Sequence, residues 1–178
     1  MTLLAGGDSF IWGSELADYK HCGKDGYSLS TFAALLSNSN YICAAYPGIG
    51  NIEIVDRVKK KIQKNHKAII CWTWPSRDNK IDSDDEILNL QEYFQINSIP
   101  YMFTCVDNCI ITSNPNIDYN KWFMFPAGEE PHKTNNPRGF YQWAVEESYP
   151  QGLNGHPLEQ ALIDAAKLMN FSFLRLTS

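Results

Sequence analysis

The chain has 178 residues, of which 44% are hydrophobic and 20% are charged, and its formal net charge is −5. This length predicts a single domain, residues 1–178, whose core is large enough to need no disulfides. The acidic balance argues against nucleic acid as the main partner, because a phosphate backbone is bound by clustered lysine and arginine side chains. No apolar run approaches the ~20 residues of a membrane span, and the N-terminus lacks the pattern of a secretory signal.

The five cysteines include no CxxC pair. Cys43, Cys71 and Cys105 fall inside predicted strands, where cysteine behaves as a small hydrophobic residue. The odd count and this placement predict a reducing compartment, the cytoplasm, or the host cytoplasm if the protein is viral. His21 and Cys22 are too isolated to predict a metal site. No phosphate-cradling glycine pattern occurs, so no cofactor is predicted, and a nucleotide-binding protein of flavodoxin type is not favoured.

Four continuous apolar runs predict strands that are covered on both faces, at residues 2–6, 41–45, 68–73 and 100–106. Helical spacing of apolar residues predicts helices at 30–36, 52–62, 84–96 and 158–169, with a short helix near 140–147. This alternation predicts a three-layer α/β/α sandwich with a mostly parallel, doubly wound sheet. In such sheets the functional site lies beyond the carboxyl ends of the strands. The loops to examine are therefore 7–13, 46–51 and 74–79, together with the long segment after residue 107.

Ser9 follows the first strand in the sequence Gly7-Asp8-Ser9. Serine at a strand-to-helix turn is either an N-cap, with its hydroxyl on a backbone N–H, or a nucleophile whose oxyanion is held by a backbone N–H of the turn. The residues of this loop alone leave both interpretations open.

Two further loops carry residues that would complete a nucleophilic site. The loop after the second strand holds Gly48, whose lack of a side chain lets the backbone approach a ligand, and Asn51, which offers amide donors or caps the next helix. His156 lies in a loop directly before Pro157 and the last predicted helix. A histidine there is either structural or the base that Ser9 requires.

Together these loops resemble the three motifs of the SGNH, or GDSL-type, hydrolase family. The matching segments are GDS at 7–9, AYPGIGN at 45–51 and GLNGHP at 152–157. The resemblance implies the family's α/β/α fold, Ser9 as nucleophile, the Gly48 N–H in an oxyanion hole with that of Ser9, and His156 as general base. The chain looks closest to a branch common among phage and environmental sequences, on the segments GDSFIWGSEL, WTWPSR, YFQ and IPY.

The chain departs from that family where an Asn oxyanion donor usually follows the third strand. The corresponding segment reads WTWPSR at residues 72–77 and has no Asn. Loss of one such donor typically costs ~10²–10³ in rate. The donors that would replace it are Thr73, Ser76, Arg77 and Asn51.

The second departure concerns the acid that usually stands three residues before the histidine. Position 153 is Leu, and the nearest polar residue is Asn154. Three arrangements stay open. Asn154 orients His156, as Asn does in Cys-His-Asn proteases; a carboxylate from Glu146, Glu147 or Asp107 does so; or the enzyme is a Ser-His dyad.

These patterns predict a serine esterase that acts through Ser9, His156 and an acyl-enzyme on a small ester, such as an acetyl group on a carbohydrate. The residues predicted to line the substrate site are Asp8, Trp74, Ser76 and Arg77. The alternative is a weakly active or inactive binding or structural protein on the same fold, for example in a phage virion. The sequence leaves the oligomeric state open.

Overall fold

Four parallel strands form one sheet in the order β2-β1-β3-β4, in a computed structural model that describes residues 1–20, 26–126 and 136–177. The strands are β1 (Thr2–Gly6), β2 (Tyr41–Cys43), β3 (His66–Trp72) and β4 (Tyr101–Cys105). In the register, Leu3 lies opposite Tyr41 and Ala68 lies opposite Tyr101. The predicted parallel, doubly wound sheet is confirmed, and its order matches the first four strands of a flavodoxin-like sheet.

The described residues form six α-helices: α1 (Ser9–Trp12), α2 (Phe32–Leu36), α3 (Asn51–Lys61), α4 (Asp84–Ile96), α5 (Phe140–Glu146) and α6 (Glu159–Leu176). Short 3-10 turns lie at Ala17–Lys20, Pro75–Asp78, Asn108–Ile110 and Tyr119–Lys121. None of the described helices has the length and apolar character needed to cross a membrane.

Each face of the sheet carries its own core because neighbouring residues of a strand point to opposite faces. Leu3 and Ala5 pack with residues of α2, α5 and α6, whereas Leu4 packs with α3 and α4. All three strand residues are fully buried. The helices thus form one layer on each side of the sheet, which gives the predicted α/β/α sandwich.

The last helix is longer than its predicted span. The apolar spacing predicts an end at residue 169, but α6 continues to Leu176. Phe173 and Leu176 keep the same face buried against the core, so helical packing is favourable for two more turns. The prediction stopped short because exposed Phe171 and Leu174 interrupt the polar face.

The crossover pattern leaves a crevice at the carboxyl edge of the sheet. From β1 the chain moves to β2 on one side and then returns to β3 on the other side. The connections after β1 and β3 therefore diverge at this point, where ligands bind in open α/β sheets. The loops that follow β1, β2 and β3 meet there.

Candidate active site

The turn after β1 presents Ser9 as the first residue of helix α1. The N-cap of this helix is Asp8, whose Oδ1 accepts a hydrogen bond from the Phe10 N–H at 3.0 Å. The alternative interpretation of Ser9 as the cap is therefore wrong. Its hydroxyl is instead hydrogen-bonded to a histidine ring.

Ser9, His156 and Glu15 form a continuous hydrogen-bonded chain. The Ser9 Oγ lies 2.8 Å from His156 Nε2, and the other ring nitrogen, Nδ1, lies 2.7 Å from Glu15 Oε2. Both distances are those of direct hydrogen bonds. A hydroxyl, an imidazole and a carboxylate in this order constitute the arrangement of a serine-hydrolase triad.

Glu15 is held in place by the loop that carries the histidine. Its Oε1 accepts hydrogen bonds from the backbone N–H and the side-chain Nδ2 of Asn154, at 2.8 and 3.2 Å. Gly152 makes this approach possible, since a Cβ there would lie 2.6 Å from the Glu15 carboxyl carbon. Glu15 itself has a positive φ of 70°, which is uncommon for a residue other than glycine.

The surroundings of Glu15 favour its ionised form. Partial burial acts to raise the pKa of this carboxyl, but hydrogen bonds from the Asn154 N–H, the His156 ring and the His156 N–H outweigh burial. The pKa of Glu15 is therefore lowered. A carboxylate beside Nδ1 keeps that nitrogen protonated and leaves Nε2 to accept the serine proton.

None of the residues that the sequence suggested as the partner of His156 contacts the Nδ1 atom of its ring. Asn154 contacts Glu15 and does not orient the ring directly. Glu146 and Glu147 form ion pairs with Arg138. Asp107 caps a 3-10 turn by accepting the Cys109 N–H. Because Glu15 supplies the carboxylate, neither the Asn-assisted site nor the dyad describes the geometry.

Glu15 is absent from the predicted site residues because the acid of the family that the chain resembles usually stands just before the histidine. Glu15 lies six positions after the nucleophile, within the GDSFIWGSEL segment. The signal available was a glutamate two residues after Gly13, a glycine whose φ of 79° ends helix α1 and turns the chain back.

A short hairpin-like loop fixes the backbone of His156. The Gly152 N–H donates to the His156 carbonyl at 2.8 Å, and the Leu158 N–H donates to the Pro150 carbonyl at 3.0 Å. The imidazole also packs on the Phe10 ring, with centroids 5.1 Å apart. The base is therefore positioned by its own loop and by helix α1.

Gly48 and Ser9, the two residues whose backbone N–H groups are predicted to hold an oxyanion, line the same cleft. Gly48 has a φ of 80°, and a Cβ built on it would meet nothing within 4 Å, so the space around it is open to a ligand. Neither N–H has an acceptor among the residues that the structure describes. Both groups are therefore available to donate to a ligand, and their role as oxyanion donors stays a prediction.

Asn51 is not available as the oxyanion donor that the sequence suggested. Its side chain is fully buried at the start of α3. Oδ1 accepts the Thr73 N–H at 2.9 Å, while Nδ2 donates to the Thr73 carbonyl and to Ser83 Oγ. Asn51 thus ties α3 to the end of β3 and has a structural role.

Thr73, Asp8 and Ser76 also differ from their predicted roles. The Thr73 hydroxyl donates to Asp8 Oδ2 at 2.7 Å, so it points away from the cleft. Asp8, the residue before Ser9, is fully buried, and burial raises the pKa of its carboxyl against the opposing effects of Thr73, Arg77 and the Phe10 N–H. Ser76 is exposed and is absent from the described lining of the cleft.

The cleft above the triad has a volume of about 580 Å³. Trp74 and Arg77 line it, and their contact with a substrate stays a prediction. Phe10, Trp74 and Tyr141 form an aromatic wall with ring centroids 5.6 to 6.1 Å apart. Trp72, Trp122 and Phe123 are buried and belong to the core.

Within the described ranges, no group of three or more histidine, cysteine or acidic side chains is arranged to hold a metal ion. The pair of His21 and Cys22 lies outside those ranges. Comparison of the chain with models of known protein families and with curated proteins found no match.

Proposed function

We propose that the protein is a serine acyl hydrolase that cleaves esters through Ser9, His156 and Glu15. The observation that carries the proposal is the pair of hydrogen bonds that joins the three side chains, at 2.8 and 2.7 Å. This chain of contacts supports an enzyme over the alternative of a binding or structural protein, because a hydroxyl bonded to an imidazole that a carboxylate orients is the arrangement of an activated nucleophile.

The proposed reaction begins when Ser9 Oγ attacks the ester carbonyl. His156 Nε2 takes the hydroxyl proton, and Glu15 stabilises the imidazolium that forms. The backbone N–H groups of Ser9 and Gly48 hold the oxyanion of the tetrahedral intermediate. His156 then protonates the leaving alcohol, the acyl-enzyme forms, and a water activated by His156 releases the acid.

The cleft supports a small ester as substrate. It is open enough for a short acyl group, and its aromatic wall of Phe10, Trp74 and Tyr141 offers apolar ring surface. Such rings pack against the apolar face of a sugar as well as against acyl chains. An acetylated carbohydrate therefore fits the proposal, with Trp74 and Tyr141 as the surfaces that the sugar would contact.

We further propose that the chain is a divergent member of the SGNH group. The parallel sheet, the serine after β1, the open glycine after β2 and the His-Pro before α6 support this placement. The source of the acid departs from the pattern, because Glu15 comes from the nucleophile segment. We place the reaction in a reducing compartment on the support of four described cysteines that are all free thiols.

The test is hydrolysis of p-nitrophenyl acetate and butyrate by the wild type, Ser9→Ala and His156→Ala. We expect a burst of nitrophenol at the enzyme concentration, followed by turnover, in the wild type alone. Ser76→Ala, which removes an exposed serine on a neighbouring loop, is the matched control and should hydrolyse both esters like the wild type. Equal rates for the wild type and Ser9→Ala would exclude Ser9 as the nucleophile.

A further inference from the structure

We propose that Arg77 is a third oxyanion-binding group, which adds a positive charge to the backbone N–H groups of Ser9 and Gly48. This inference rests on the proposed serine-hydrolase function. Among the side chains considered as replacements for a missing Asn donor, Asn51 and Thr73 are committed to buried hydrogen bonds and Ser76 is outside the cleft. Arg77 alone of these lines the cleft.

The guanidinium of Arg77 spans the two loops that carry the backbone donors. Nη2 lies 3.4 Å from Oδ2 of Asp8, the residue before Ser9. Nη1 donates at 3.4 Å to the carbonyl of Ile49, the residue after Gly48. The charged group therefore contacts both of the loops whose backbone N–H groups would hold an oxyanion.

The segment around Arg77 is fixed before any substrate binds. It lies in the 3-10 turn Pro75–Asp78, and Asp78 Oδ2 accepts the Asn51 N–H at 2.6 Å at the start of α3. The guanidinium also lies over the Trp74 ring, 5.4 Å from its centroid. Donors that are already oriented stabilise a developing charge without reorganisation during the reaction.

Arg77 would have a second role, because the carboxyl group of Asp8 is buried next to Ser9. The Asp8 side chain is fully buried, while that of Arg77 is 26% exposed and lines the cleft. In its ionised form, which burial disfavours, Asp8 would repel the oxyanion that forms one residue away. Arg77 offsets that charge, and its guanidinium has more N–H donors than its two anchors occupy.

The test compares Arg77→Gln with the wild type on two esters of similar length, p-nitrophenyl butyrate and the anionic p-nitrophenyl hemisuccinate. We expect kcat to fall ~10²–10³-fold on both esters with little change in KM. Affinity for butylboronic acid, which forms an anionic tetrahedral adduct with a serine, should fall by a similar factor. Arg57→Gln, another partly buried arginine held by backbone carbonyls, is the control and should leave all three values unchanged.

Three results would overturn the proposal. One is an unchanged kcat in Arg77→Gln, and another is unchanged boronate affinity. The third is an increase in KM that is confined to the hemisuccinate, which would make Arg77 a binding site for an anionic substituent.

If Arg77→Gln does not fold, Arg77→Lys is the second variant, because it keeps the charge beside Asp8 but not the planar fork of the guanidinium. The affinity of Arg77→Lys for butylboronic acid should be about tenfold lower or more, and an affinity equal to that of the wild type would refute the role of Arg77 in binding the oxyanion.

The proposed function can fail separately from this inference. A folded wild type that neither hydrolyses the esters nor binds the boronate would refute the serine-hydrolase mechanism itself. An active wild type matched by an equally active Arg77→Gln would refute the role of Arg77 alone.

Discussion

At the scale of single residues, the site depends on how one carboxylate is oriented. Glu15 occupies a left-handed backbone conformation and receives hydrogen bonds from two residues of the histidine loop. Strained backbone of this kind persists where the surrounding contacts require it. The loop at 152–156 and the turn after α1 therefore position each other, and the triad is their point of contact.

The substitution Glu15→Gln should lower kcat for ester hydrolysis by ~10⁴, the effect of Asp→Asn in a serine triad. The amide would donate to Nδ1 and impose the tautomer that cannot take the serine proton. Asn154→Ala is the comparison, since it removes only the 3.2 Å side-chain bond and keeps the backbone N–H. A loss of less than about tenfold is expected there. Equal losses in the two variants would contradict the assignment of Glu15.

The lowered pKa of Glu15 predicts the direction in which the stability of the fold changes with pH. Its folded-state pKa lies below the ordinary value of 4.5, so the ionised form contributes stability that is fully present above that value. This contribution is lost as the pH falls through the lowered pKa. The difference in unfolding midpoint between the wild type and Glu15→Gln should therefore shrink on acidification. A difference that stays constant from neutral to acidic pH would contradict the prediction.

At the scale of secondary-structure elements, buried polar contacts between neighbouring loops hold the carboxyl edge of the sheet together. Asn51 joins the start of α3 to the end of β3, and Asp8 joins the end of β1 to Thr73. A buried polar network that is fully paired specifies one arrangement of the elements that it connects. These bonds fix the positions of the loops that carry Ser9, Gly48 and Arg77 relative to one another.

Removal of the Asn51 side chain should destabilise the fold without removing a catalytic group. Asn51→Ala leaves the Thr73 N–H, the Thr73 carbonyl and the Ser83 hydroxyl without a partner, each at about 1–3 kcal/mol. We expect a loss of about 3 kcal/mol or more in the free energy of unfolding, measured in urea. Asn120→Ala, at an exposed site, should be near neutral. Unchanged stability with a 10²–10³-fold lower kcat would instead favour the oxyanion role.

The sequence predicted the elements well where apolar periodicity carries the information. The span of β1 matches its prediction, and α4 matches at both ends, because acids at its start and a buried stripe along it are local signals. The triad acid was not predictable in this way. Its position depends on the positive φ of Glu15 and on the close approach of Gly152, two features of tertiary structure. The predicted roles of Asn51 and Asp8 failed because polarity in sequence does not reveal burial.

At the scale of the whole molecule, one sheet supports two cores. Phe94 of α4 is fully buried on one face and Phe173 of α6 is almost fully buried on the other, and both cores pack on residues of the same strands. Disruption of either layer exposes a face of that shared sheet. The two layers should therefore unfold together.

Phe94→Ala and Phe173→Ala should each lower the free energy of unfolding by about 3–5 kcal/mol, the cost of a large cavity in a core. Both variants should unfold in one transition, with coincident curves from far-UV circular dichroism and tryptophan fluorescence. Phe171→Ala, two positions from Phe173 but 76% exposed, is the matched control and should change little. Separate unfolding transitions for the two helical layers would contradict the prediction that they unfold together.

The most direct test of the central claim is covalent labelling by a fluorophosphonate probe, followed by intact mass and by mapping of the modified peptide. We expect one adduct per wild-type molecule, located on Ser9, and none on Ser9→Ala. Labelling of His156→Ala and Glu15→Gln should be slower by orders of magnitude, because the serine loses its base or the tautomer that the base requires. A folded wild type that takes no label, or an adduct that persists in Ser9→Ala, would contradict Ser9 as the nucleophile.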